Sequence, residues 1–70
     1  MIILEQIRAR LNEVIRQSGL SQTELAKRLN VNSATISHYV KGDKLPALDT
    51  FANLCAVLDV DPAYILCLCD

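Results

Sequence analysis

The chain has 70 residues, 51% hydrophobic and 21% charged, with only two glycines and two prolines. That length holds one domain with a small core, and that composition excludes disorder, collagen and low-complexity linker. The net charge is −1, yet all seven basic side chains lie within residues 1–44 beside four acids, while residues 45–70 carry four acids and no base. A local field, not the total, steers a polyanion, so the overall charge does not exclude one. The alternative is an ordinary solvated surface with a chance asymmetry.

Helix signals recur at short intervals and strand alternation is nearly absent. The first predicted helix runs from about Ile3 to Gln17, with Leu4, Ile7, Leu11, Val14 and Ile15 at helical spacing. Arg8, Arg10, Glu13 and Arg16 fall mostly on the other side, a solvated face from which at most one arginine reaches a ligand. Gly19 suits a left-handed C-terminal cap. Ser21-Gln22-Thr23-Glu24 is a capping box: Ser21 accepts from the N–H of residue 24 and Glu24 reaches back, with Leu20 and Leu25 as the hydrophobic staple. The second helix then carries Leu25, Ala26 and Leu29 inward and Lys27 and Arg28 outward, and stops near Asn30.

Asn32 is the N-cap of a third helix, with Val31 and Ile36 as its staple pair and Gly42 as its stop. Ile36, Tyr39 and Val40 form its inner side. The opposite face holds Ser33, Ala34, Ser37 and His38, with Thr35 near the edge. A surface helix usually carries long charged residues there, and this one has none before Lys41. Leu45-Pro46 resets the chain. A fourth helix from about Ala47 to Leu58 is expected to bury Leu48, Phe51, Leu54, Cys55 and Leu58, with Asp49 in its first turn. Asp61-Pro62 caps and starts a short fifth helix whose apolar positions are Tyr64, Ile65 and Leu68. The expected fold is all-α, a compact bundle of five short helices in a single domain over residues 1–70.

The stretch Ser21 to Gly42, SQTELAKRLNVNSATISHYVKG, resembles the helix-turn-helix of the Cro/repressor-type (XRE-like, lambda-repressor-like) family of phage and bacterial transcription regulators. The likeness continues through Leu45-Pro46-Ala47-Leu48, Phe51 and Leu54 to the Leu58–Leu66 tail, and covers about residues 4–66. Steric logic agrees with it. Two short helices crossing steeply need a short turn, small Ala26 lets them approach, Val31 plugs the core beneath the turn, and Ile36 docks the third helix from below.

The resemblance implies a third helix whose outer face reads base edges in the major groove. By position, Ser33, Ala34, Thr35 and His38 face the bases, with Ser37 nearby. Ser33 and Thr35 hydroxyls donate or accept and so discriminate poorly, and the Ala34 and Thr35 methyls suit a thymine methyl. None of these is a bidentate Arg, Gln or Asn, so no operator sequence follows. Gln22 at the second helix start, Asn32, and Lys41 and Lys44 around Gly42 match the family's phosphate contacts, which fix register without reading sequence. Each has a plainer reading as a cap or a solvated side chain.

The resemblance further implies an operator in double-stranded DNA, palindromic and bound by a homodimer, with repression as the expected direction of control. The apolar ends, Met1-Ile2-Ile3 and Tyr64–Cys69, either fold into the core or form the dimer seam, with the fifth helix the first place to look. An antitoxin and a protein-interaction module that has lost DNA binding are the competing functions. No enzyme is expected, since no paired carboxylates, glycine-rich phosphate loop or nucleophile with a base come together. Cys67-Leu68-Cys69 and Cys55 are too few for a structural zinc site, and Cys55 fits the core. No cofactor, small-molecule ligand or membrane contact is expected. No apolar run reaches the ~20 residues of a membrane span. Glu5 directly after Leu4 is unlike a signal peptide, so the expected compartment is the cytoplasm.

Overall fold

Four side-chain or glycine caps foreseen from the sequence divide the chain where expected. The computed structural model describes residues 1–69. In chain order its helices are α1 (Leu4–Gln17), α2 (Gln22–Leu29), α3 (Ser33–Lys41), α4 (Leu48–Leu58) and α5 (Pro62–Ile65). Ser21 Oγ accepts from Glu24 N at 3.1 Å, Asn32 Oδ1 from Ala34 N at 2.9 Å, and Asp61 Oδ1 from Ala63 N at 2.9 Å. Each satisfies an N–H that the first helical turn leaves unpaired. Gly42 closes α3 at φ +84°, in the left-handed region that favours glycine. The capping box at α2 is only half formed. Glu24 turns away from the cap and pairs with Arg28 at 3.2 Å, one helical turn on.

One apolar cluster joins the helices: Leu11, Val14 and Ile15 from α1, Leu25 and Ala26 from α2, Ile36 and Tyr39 from α3, Leu54 and Cys55 from α4, and Ile65 from α5. α3 packs on both α1 and α2, α5 packs on α1, and α4 packs on α2. Burial raises the Cys55 thiol pKa, with the nearby Asp61 charge adding to it. All three cysteines are free thiols. Among the described residues no helix is long and apolar enough to cross a membrane.

Leu48 and Leu68 depart from the expected core. Leu48 is the first residue of α4 and is 88% exposed, so the start of that helix leaves an apolar position uncovered. Leu68 is 67% exposed. Its spacing from Ile65 carries it inward only in a continuous helix, and α5 ends at Ile65, with Cys67 at φ +63°. The apolar ends therefore divide. Ile65 is buried and Tyr64 and Leu66 are half-buried, whereas Met1, Ile2, Ile3 and Leu4 remain exposed.

The first helix is more than an amphipathic prop, and two of its three arginines are not on a solvated face. On one flank, Asn12 Nδ2 donates to the Val40 carbonyl and the Arg8 stem lies beside Gly42, with Arg8 Nε buried and without a partner. On the other flank, Arg10 Nη1 donates to the Tyr64 carbonyl at 2.8 Å and the Cys69 carbonyl at 2.9 Å. Its guanidinium also stands 4.6 Å from the Tyr64 ring centroid, a cation–π distance. The Tyr64 hydroxyl donates to Glu13 at 2.8 Å, and that bond, helped by burial, raises the phenol pKa. Arg10 thus seats the tail on α1. Arg10→Ala is expected to cost about 1–3 kcal/mol, the worth of hydrogen bonds from a charged donor. The loss would be read as a lower midpoint in urea unfolding.

Candidate nucleic-acid interface

The turn between α2 and α3 is built from Asn30, Val31 and Asn32. Asn30 takes a left-handed conformation at φ +56°, which an asparagine tolerates better than most residues. Its N–H closes on the Lys27 carbonyl and that of Val31 on the Ala26 carbonyl. Val31 is half-buried against the core and Ala26 is buried beneath it. The chain then enters α3 through the Asn32 cap. This local arrangement fixes α3 with Ile36 and Tyr39 fully inside and one face fully outside.

That outer face carries five of the residues singled out in the sequence. Ser33, Ala34, His38 and Lys41 are exposed, and Ser37 is half-buried at its flank. Ala34, His38 and Lys41 follow one another at helical spacing and form its ridge. Thr35 is half-buried on the opposite flank, where its backbone N–H bonds the Asn32 carbonyl. Small side chains at Ser33, Ala34 and Ser37 leave the first turn of the ridge low ahead of His38 and Lys41, the shape needed for close approach to a grooved polymer. Lys44 is exposed in the loop after Gly42.

Gln22 and Asn32 are both exposed at helix starts, where backbone N–H groups point outward and favour an anion. Gln22 lines a recess with Arg16, Leu20 and Val40. A second recess between α2 and α3 is lined by Thr23, Lys27, Asn30 and Ser33. Lys27, read from sequence only as an outward residue, therefore stands beside the start of the α3 ridge. The signal was its place three residues before the left-handed Asn30, where the α2 surface turns toward α3.

A second residue escaped the sequence reading. His38 Nδ1 lies 2.9 Å from Asp43 Oδ1, with both side chains about half exposed at 50% and 57%. Residues five apart do not face each other along a helix. Gly42 brings them together by reversing the backbone, with its N–H bonded to the His38 and Tyr39 carbonyls. The pattern of a histidine, a glycine cap four residues on and an acid directly after it holds this information.

The family profile described as helix-turn-helix matches residues 8–65, which contain α2, the turn, α3 and the helices packed around them. No curated protein and no solved structure matches the chain. A five-helix fold that buries one face of α3 and frees the other, together with a profile match over most of its length, makes this chain a member of the Cro/XRE-type helix-turn-helix family of DNA-binding regulators.

Proposed function

We propose that the protein is a sequence-specific transcription regulator, a repressor, that binds a palindromic operator as a homodimer through the major groove. The observation that carries this reading is the α3 ridge: an exposed face, low in its first turn, to which the helix itself contributes no acid, held rigidly from behind by Ile36 and Tyr39. Ser33, Ala34, Thr35, Ser37 and His38 are the base readers. Gln22, Asn32, Lys41 and Lys44 hold phosphates, and Lys27 joins them from the α2 side. The exposed Met1–Leu4 run and Leu68 support self-association, since a small domain gains stability by covering such apolar area. A dimer of this kind sets two α3 helices about one helical turn, roughly 34 Å, apart and occludes a promoter sterically. Its place of action is the cytoplasm, at the nucleoid.

Lys41→Ala is expected to weaken binding to every duplex alike. It should flatten the slope of log K against log salt by about 0.9, the share of one released counterion. Fluorescence anisotropy across a salt series measures both. The function itself is tested by selection from a random duplex pool at moderate salt. An enriched inverted repeat establishes specific readout by a dimer. No enrichment from folded protein overturns the proposal in favour of a protein-interaction module.

A further inference from the structure

The pairing of His38 with Asp43 has a chemical consequence for what α3 reads. An ionised carboxylate only accepts hydrogen bonds, so at 2.9 Å the proton between the two groups sits on His38 Nδ1. A neutral imidazole has one N–H, and once it is on Nδ1 the other nitrogen carries a lone pair. Nε2 makes no bond to any described residue, and the ring is half exposed on the α3 ridge beside Ala34 and Lys41. Without a partner at Nδ1, imidazole presents either a donor or an acceptor at Nε2.

We infer that Asp43 is the specificity-setting residue of this interface: by holding the Nδ1–H tautomer of the neutral His38 ring, it makes Nε2 an acceptor that selects a base bearing an exocyclic amine. In the major groove those are adenine, through N6, and cytosine, through N4. Guanine offers only the N7 and O6 acceptors there and is rejected, as two acceptors facing each other leave both unpaired. Asp43 touches no base in this scheme and acts through the ring. Its place between Lys41 and Lys44 makes the assignment more telling. A carboxylate among phosphate-holding lysines lowers overall affinity, and setting the reader gives it a role that offsets that cost.

The inference rests on the DNA-reading function proposed above, and the test separates the two. Random-pool selections are run at about pH 8.5, where free histidine is neutral, with the native chain, His38→Ala and Asp43→Ala. The His38→Ala selection identifies the base pair that the ring faces. At that pair the native chain should prefer adenine or cytosine over guanine by about tenfold. Asp43→Ala should erase that preference, or turn it toward guanine, while every other position keeps its base. Loss of the carboxylate also tightens binding to all duplexes alike, which shifts affinity and leaves base preference alone. Asp43→Glu, which restores the acceptor, should recover part of the preference. An Asp43→Ala pool with the native preference intact overturns the inference and leaves the DNA-reading function standing. A native pool without any enriched repeat overturns both.

Discussion

Ala34→Glu should abolish recognition of the proposed operator and leave the fold intact. Ala34 is the first residue of the exposed ridge, in the first turn of α3. A carboxylate there would enter the groove between two rows of phosphates, and like charges so placed cost several kcal/mol. A loss of at least about 100-fold on the native site follows. The stability term is separate. The first turn of α3 holds no acid, and a glutamate there gains about 0.3–1 kcal/mol from the helix dipole, which offsets the lost helix propensity of alanine. Anisotropy on the selected operator and a thermal melt by circular dichroism read the two terms. Native-like affinity with an unchanged melt would place the duplex elsewhere on the molecule.

Two residues further along the same helix, Ile36→Ala should have the opposite outcome and unfold the domain. Ile36 is fully buried where α1, α2 and α3 meet. Removing its side chain costs about 2–5 kcal/mol, through lost burial and the cavity left behind. A chain of this size has only about 4–10 kcal/mol in total at the usual stability per residue. The variant should melt near or below room temperature, and its chemical-denaturation midpoint should fall by about half or more. A shift below about 1 kcal/mol would mean that the neighbours collapse into the space.

The features that the sequence shows well are those governed by local rules. Ser21, Asn32, Asp61 and Gly42 act on backbone groups within four residues, so each cap is readable from its own neighbourhood. The inner faces of α1 beyond Leu4, of α2 and of α3 follow from helical spacing because another helix covers each of them, whereas Leu4 stays exposed at the start of α1. Spacing fails where that condition lapses. Leu48 has the correct phase at an end of α4 that nothing covers, and Leu68 loses its phase when the helix stops at Ile65. Longer-range polar bonds were the other blind spot. Nothing in the order of residues announces that Arg10 holds the carbonyl of Cys69, whereas Glu24 and Arg28 stand at a local spacing of four that competes with the cap. At the interface the exposed ridge of α3 was legible, whereas the His38–Asp43 pair depends on a backbone reversal that periodicity does not describe.

The two flanks of α1 make that helix a common datum for opposite ends of the chain. Asn12 and Arg8 locate the end of α3, while Arg10 and Glu13 locate α5 through Tyr64 and Arg10 also holds the tail after it. At 14 residues, α1 is a beam about 21 Å long, and both attachments are made within its middle turns. A body joined to the tail, a second copy included, would therefore be surveyed to the recognition helix through one stiff member instead of a loose tether. Tolerance in the spacing between two reading heads would then be set by the bending of α1 and by the two carbonyl bonds of Arg10. Cutting those bonds should loosen the ruler before it blunts the heads: in the dimer proposed above, Arg10→Ala should accept operators whose half-sites are one base pair nearer or farther apart.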